Sequence, residues 1–267
     1  MTLRDVAYSL ETGEPLPPNS VAITVDDGYR NFVTDGYPVF RAFDIPVTVF
    51  LVSDFLDGKA WLWWDALNYA IQGTRLPSLT FCTADGRKHQ FSLEPKQQRV
   101  SVCEGICELL KSVPNEERLR LLGAIVEHLE VEVPSQPPSK FAPLAWSEVR
   151  QLARQGVEFG GHTKTHPILS RVGGRDALEE EIAASKSRIE QEVGEPVIHF
   201  CYPNGRYEDF STAAIEVIRS TGFRTAVTAE RGMNFPGAPP FMLKRLGVEP
   251  DTATRYFSEL LAGVRVQ

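Results

Sequence analysis

Residues 157–168 read VEFGGHTKTHPI, and this stretch indicates both a fold class and the place of a site. Its first four residues form a short apolar run typical of a buried strand. Gly160 and Gly161 then permit a sharp turn. His162 and His166, two of the chain's five histidines, follow that turn directly. Because active sites of parallel α/β folds lie at the carboxyl ends of strands, we expect both histidines to lie at such a site.

The spacing of the two histidines allows two backbone conformations. On a regular helix, residues four apart share one face and could bind one metal together. Pro167, however, disfavours the helical conformation at His166, and its ring would clash with the carbonyl of Thr163 if a helix continued. We therefore predict that the pair lies on a loop. Two histidines alone also fit a surface or capping role, so a metal site requires a third ligand.

Outward from this stretch, short β-branched runs alternate with helical patterns. The further predicted strands are VAITV (21–25), VTVFLV (47–52), VIHFCY (197–202) and RTAVT (224–228). The clearest helices are WSEVRQLARQG (146–156) and RDALEEEIAASKSRIEQEVG (175–194), each closed by a glycine. This alternation predicts an α/β fold with a mostly parallel sheet. Residues from about 61 to 140, including a possible hairpin at 79–93, interrupt the rhythm and are interpreted as an insertion within one domain spanning 1–267.

Composition excludes several classes of partner. The 267 residues are 42% hydrophobic, which suffices for a large core, and carry a net charge of −7. An acidic chain argues against a nucleic-acid or anionic-membrane partner. We find no export signal and no apolar run long enough to span a membrane. We therefore expect a soluble, cytoplasmic protein, or an extracytoplasmic one if the sequence has been trimmed.

The four cysteines are predicted to be reduced core residues rather than ligands. They form no CxxC pair and no zinc-ribbon spacing. The first three fall in the middle stretch, which we expect to lie well away from the histidine pair. The residues are Cys82, Cys103, Cys107 and Cys201.

Two adjacent carboxylates supply a candidate third ligand. Asp26 and Asp27 end the strand VAITV, where Gly28 also fits a simple turn. At a strand end, one carboxylate can bind a metal while the other reaches the reaction centre. One aspartate with His162 and His166 gives three protein ligands and an open position for water, which is typical of catalytic zinc.

At this point the sequence resembles the polysaccharide deacetylases of carbohydrate esterase family 4. The motifs TVDDGY (24–29), HTKTH (162–166) and FCYPNG (200–205) occur in the family's order, and the resemblance extends from about residue 20 to 248. It implies a distorted (β/α) barrel of about seven strands. It also implies an acetylated saccharide substrate, most often N-acetylated, and one divalent metal ion, usually Zn²⁺.

The resemblance further implies roles for individual residues. Asp26 corresponds to the general base, and Asp27 to the metal ligand that acts with both histidines. The backbone N–H of Asn204 corresponds to the oxyanion donor, and Tyr202 of the same motif is expected to contact substrate.

Two departures from the family pattern affect the chemistry. The third motif usually begins with an arginine that orients the base, whereas Cys201 stands here. We propose Arg245 as the substitute, because FMLKRLGV (241–248) lies where a last strand could return to the barrel, although a solvated surface cation is the simpler reading. The family's general acid is a late histidine, and none follows His199, which we expect to be a core residue. A slower enzyme, a substrate-assisted one or an acid from elsewhere would follow.

Trp63 or Trp64 is a further candidate for substrate binding, because an aromatic face stacks on a sugar ring. Adjacent residues point in different directions, so at most one of them is expected to form a platform. Two other functions stay open: a catalytically impaired relative that binds carbohydrate or a partner, and a metal amidase acting on a non-sugar substrate.

Overall fold

The computed structural model describes residues 1–249 and 252–263, and the remainder of the predicted domain lies outside this part. Its centre is a parallel sheet of six strands in the order β1-β2-β5-β6-β7-β8. The strands are β1 (Ile23–Val25), β2 (Val47–Leu51), β5 (Glu158–Gly161), β6 (His199–Cys201), β7 (Thr225–Arg231) and β8 (Leu243–Arg245). The sheet curls into a half-barrel surrounded by helices, which confirms the distorted (β/α) barrel. Within the described residues it has six strands rather than about seven.

Each predicted strand is present, though most are shorter than the apolar run that indicated it. All five residues of β2 are buried, as is typical of a parallel strand whose two faces are both covered. The sixth strand, β8, lies within FMLKRLGV (241–248), where a last strand was expected to return to the barrel. Only Leu243 among its three residues is buried, so its hydrophobic pattern is weak.

Ten α-helices occur in the described part of the chain. They are α1 (Leu3–Thr12), α2 (Tyr37–Ala42), α3 (Ser53–Leu56), α4 (Trp63–Gly73), α5 (Arg99–Ser112), α6 (Asn115–His128), α7 (Trp146–Arg154), α8 (Arg175–Val193), α9 (Thr212–Ser220) and α10 (Thr254–Leu261). The two predicted helices are α7 and α8. Gly194 closes α8 in the left-handed conformation that favours glycine.

The segment between β2 and β5 has an apolar cluster of its own. Helices α4, α5 and α6 pack together beside an antiparallel hairpin of β3 (Ser78–Cys82) and β4 (Lys88–Ser92). Arg99 is buried at the start of α5, and its Nη1 donates to the carbonyl oxygens of Ile71, Gln72 and Thr74. The guanidinium thus satisfies carbonyls that the end of α4 leaves without helical partners.

The cysteines depart from expectation in two ways. All four are free, but only Cys103 and Cys201 are buried, while Cys82 is exposed on the hairpin. Cys103 and Cys107 also line the same cleft as the histidine pair. The expected distance was wrong because α5 folds back toward that cleft. No helix in residues 1–249 or 252–263 is long and apolar enough to cross a membrane.

Candidate metal centre

His162 is fixed at the carboxyl end of β5 by bonds to both neighbouring strands. Its backbone N–H donates to the carbonyl of Leu51 at 3.0 Å. Its ring Nδ1 lies 2.7 Å from the carbonyl oxygen of Cys201. Because a carbonyl only accepts, Nδ1 carries the proton in this contact. In the neutral ring, Nε2 therefore presents a lone pair, as metal-bound histidines do.

The chain between the two histidines forms a loop, as Pro167 predicted, and not a helix. Thr163 and His166 have left-handed backbones with φ of 67° and 57°. Such values cost of the order of 1–3 kcal/mol at non-glycine residues and persist only where the surroundings impose them. The N–H of His166 donates to the Thr163 hydroxyl oxygen at 3.0 Å, and the Trp64 ring packs edge-on against the His166 ring.

Asp27 joins the two histidines to complete a set of three donor atoms. Its Oδ1 lies 3.4 Å from His162 Nε2 and 3.5 Å from His166 Nε2, and the two nitrogens are 3.1 Å apart. A tetrahedral ion with bonds of about 2.0–2.1 Å separates its ligands by about 3.3 Å. The spacing and the Nδ1-protonated form of His162 therefore fit a divalent metal such as Zn²⁺.

Asp26 lies beside this set but is held by a cation of its own. Arg245 Nη1 and Nη2 donate to Asp26 Oδ1 and Oδ2 at 2.7 and 2.8 Å. Burial alone would raise the pKa of Asp26, but the charge and hydrogen bonds of Arg245 outweigh it and lower the pKa to about 2. Asp26, His162 and Cys201 form a second possible ligand group. This second group is less suited to bind a metal cation, because the charge of Asp26 is already balanced by Arg245.

These groups open into one cleft of about 560 Å³. Asp26, Asp27, both histidines, Asn204 and Arg245 form one side of it. The insertion supplies the other side, with Trp63, Trp64 and Asp65 from α4 and Cys103, Glu104, Cys107, Glu108 and Lys111 from α5. A cleft of this size is typical of a small-molecule or saccharide-unit site.

Two residues of the third motif have different surroundings. Asn204 lines the cleft with a left-handed backbone (φ 56°), and its buried Nδ2 has no hydrogen-bond partner among the described residues. Tyr202 is fully buried, stacks on Phe210 and donates its hydroxyl to the Phe241 carbonyl at 2.9 Å. The expected contact of Tyr202 with substrate is therefore wrong, because its ring packs in the core under β6.

His199 lies in the core, as expected, and does not line the cleft. It is 1% exposed, and its Nδ1 contacts the Thr225 hydroxyl at 2.7 Å. Burial, with the charges of Arg4 and Arg224, lowers its pKa to about 3. His199 is therefore not placed to donate a proton to a substrate in the cleft.

Asp65 belongs to the cleft, although sequence reasoning gave it no role. It is 8% exposed and accepts a hydrogen bond from the Tyr29 hydroxyl at 2.5 Å. Burial raises the pKa of Asp65 to about 6, although the Tyr29 bond opposes this. The sequence contains no distinguishing signal for Asp65, because acids are common in the first turn of a helix.

Comparisons with known proteins agree with this architecture. Residues 13–89 and 101–226 match the profile of the polysaccharide deacetylase family. The fold is similar to that of the Streptococcus pyogenes deacetylase PplD in complex with acetate, with a TM-score of 0.61 and 14% identity over 98% of this chain and 78% of that chain. It is also similar to IcaB from Ammonifex degensii, with a TM-score of 0.59 and 18% identity over 98% and 80% of the two chains.

A curated relative matches a shorter stretch. The poly-β-1,6-N-acetyl-D-glucosamine N-deacetylase of Escherichia coli K12 is 40% identical over 48 residues, which is 18% of this chain and 7% of that protein. The match therefore spans only a small part of its length. The family match covers most of the chain, including the strands that carry the aspartates and histidines, and the chain belongs to the polysaccharide deacetylase family.

Proposed function

We propose that the protein removes acetyl groups, chiefly N-acetyl groups, from a saccharide or polysaccharide. The observation that carries this proposal is the grouping, at one end of the sheet, of three metal-type donor atoms and a separate arginine-paired carboxylate. Family membership supports the reaction class. The short match to a poly-N-acetylglucosamine N-deacetylase and the acetate in the Streptococcus structure support the substrate class.

Asp27, His162 and His166 would hold the metal, and Zn²⁺ suits a site with two imidazoles and one carboxylate. When bound, such an ion lowers the pKa of water and polarises a carbonyl oxygen. The protein's own contribution is to keep the donor atoms in place. The Cys201 carbonyl does so for His162 by fixing the ring orientation.

Asp26 would act as the general base. Its two oxygens each accept a bond from Arg245, so the carboxylate is held in one orientation at the rim of the cleft. There it can take the proton of the attacking water while the arginine keeps it ionised. We propose that Arg245 does for this chain what the missing motif arginine does in the family.

The remaining cleft residues would bind the saccharide. The backbone N–H of Asn204 is proposed to donate to the oxyanion of the tetrahedral intermediate. Trp64 is partly exposed and lines the cleft, whereas Trp63 is 5% exposed and has the Arg118 guanidinium over its ring. We therefore assign the sugar platform to Trp64. We also propose that the chain forms one catalytic domain with an insertion at about 61–140, whose helices complete the cleft.

Acetate release tests this function directly. We expect acetate from N-acetylated β-1,6- or β-1,4-linked glucosamine oligomers, its loss after metal removal by EDTA, and its return with Zn²⁺. Full activity in EDTA would refute the proposed mechanism. A panel that includes non-sugar amides separates a saccharide deacetylase from a general metal amidase, because the amidase would release other products.

The loss of the motif arginine favours one second candidate, a relative without catalysis that binds carbohydrate. This candidate predicts saccharide binding without turnover. Measurable acetate release that disappears in Asp26→Asn would eliminate it.

A further inference from the structure

The loop between the two histidines is held by a side chain outside all three family motifs. Glu181 lies on α8, and its carboxylate accepts three hydrogen bonds from consecutive loop residues. Oε2 accepts from the backbone N–H of Lys164 at 3.0 Å and of Thr165 at 2.9 Å. Oε1 accepts from the Thr165 hydroxyl at 2.6 Å. One carboxylate thus binds two neighbouring amides and a hydroxyl.

This arrangement requires burial of a carboxylate that forms no ion pair with a Lys or Arg side chain in the described part of the chain. Glu181 is only partly exposed, and burial raises its pKa despite the three hydrogen bonds. A carboxylate removed from water is costly unless its hydrogen bonds compensate. Adjacent backbone N–H groups provide such compensation for an anion.

The bonds fall where the loop is strained. Thr163 and His166, on either side of the bonded pair, are the two left-handed residues of the loop. On the opposite side, the N–H groups of Ser53 and Asp54 donate to the Thr163 and Lys164 carbonyls at 3.3 and 3.0 Å. The loop is therefore clamped between α3 and α8, and Glu181 provides the clamp on the α8 side.

We infer that Glu181 is a positioning residue that fixes the separation of the His162 and His166 nitrogens and so sets the affinity of the site for its metal. This inference rests on the proposed function, because it assigns the two histidines to metal binding. Glu181 does not reach the metal itself, since its acceptor oxygens are used by the loop. Its loss would let Thr163 and His166 relax toward ordinary backbone angles and would move the two imidazoles apart.

The chain provides a matched control in the adjacent residue. Glu180 accepts from the Lys164 ammonium at 2.5 Å, but its side chain is 62% exposed and it does not bond the loop backbone. Glu180→Gln and Glu181→Gln remove the same charge from neighbouring positions of the same helix. Only Glu181→Gln replaces a carboxylate oxygen that accepts hydrogen bonds from the loop with a side-chain NH₂ group, which cannot accept them.

The test measures Zn²⁺ affinity by chelator competition and Co²⁺ coordination by visible absorption on the full chain, with circular dichroism to confirm folding. We expect Glu181→Gln to weaken Zn²⁺ binding about 10- to 100-fold and to alter the Co²⁺ spectrum, as outer-shell changes do. We expect Glu180→Gln to match wild type. Folded Glu181→Gln that binds Zn²⁺ like wild type would overturn the inference, even if its thermal stability falls, because only a structural role would remain.

If Glu181→Gln does not fold, the Zn²⁺ affinity of Thr165→Val tests the inference instead. This substitution removes one of the three hydrogen bonds and leaves the Glu181 carboxylate in place. Weaker Zn²⁺ binding by Thr165→Val supports the inference, and unchanged binding refutes it. Acetate release by wild type, measured separately, shows whether the proposed function holds. Normal wild-type turnover with unaltered metal binding in the variants would refute the role of Glu181 alone.

Discussion

Arg245 and Asp26 form a two-point ion pair although their strands lie at opposite edges of the sheet. Arg245 ends β8, the last strand in the sheet order, and Asp26 follows β1, the first. The arginine also donates to the Thr24 hydroxyl at 3.2 Å and to the Thr228 carbonyl at 2.7 Å. The curl of the sheet brings the two edges close enough for one long side chain to connect them.

Replacement of this arginine should impair turnover more than saccharide binding. We expect Arg245→Ala to lower kcat about 10- to 100-fold, which corresponds to a barrier raised by about 1.4–2.7 kcal/mol when Asp26 is no longer held in one orientation. The measurement is the rate of acetate release at saturating oligosaccharide. Lys244→Ala is the control, because this neighbouring side chain is exposed and does not line the cleft. An unchanged kcat for Arg245→Ala would refute its role beside Asp26.

Metal binding should depend on the three grouped donors and not on other histidines. His166→Ala and Asp27→Asn are expected to lose bound Zn²⁺ in elemental analysis and to lose acetate release. His128→Ala, at an exposed position on α6, should retain both. Added Zn²⁺ should raise the Tm of wild type, because a ligand that binds only the folded state stabilises it. Stoichiometric Zn²⁺ in His166→Ala would contradict this ligand set.

Trp64, which is partly exposed and lines the cleft, should contribute to saccharide binding. We expect Trp64→Ala to raise KM about 2- to 10-fold, as an aromatic contact is worth about 0.5–1.5 kcal/mol beyond area burial. The His166 ring packs on Trp64, so metal content is measured in the same variant. Trp64→Phe should restore most of the affinity.

Trp61→Ala serves as a control, because that indole packs against Tyr69 and Phe141 and does not line the cleft. Equal KM values for Trp64→Ala and wild type would exclude the platform.

Acid should destabilise the fold partly through His199. Its pKa falls from 6.5 to about 3 on folding, so between these values the unfolded chain binds more protons than the folded one. Stability from this group is therefore complete above about pH 6.5 and is lost as the pH falls toward 3. The slope is at most about 1.4 kcal/mol per pH unit.

Urea unfolding of metal-free protein between pH 7 and pH 4 measures this slope. His199→Gln should show a flatter dependence than wild type, and the difference between the two isolates this group from the metal-ligand histidines. Parallel curves would show that His199 titrates normally in the folded state.

The sequence by itself determined the strands and the order of the polar groups that follow them. Short apolar runs indicated β1, β2 and β5, because the hydrophobic pattern of a strand can be read from neighbouring residues alone. Pro167 excluded a helix across the histidine pair for an equally local reason. Asp26, Asp27 and His162 could be recognised because they directly follow such strands, and His166 because it lies four residues beyond His162.

Tertiary structure alone decided which side chains meet. The distance from α5 to the cleft depends on how the insertion folds, so the sequence misplaced Cys103 and Cys107. Tyr202 lies in the core, although its motif is a site motif. Its ring stacks on Phe210, and its hydroxyl donates a hydrogen bond to the Phe241 carbonyl. Glu181 is one acid among many in an exposed-looking helix pattern. Only the packing of α8 against the histidine loop places its carboxylate against two free amides, and no periodicity in the sequence encodes that contact.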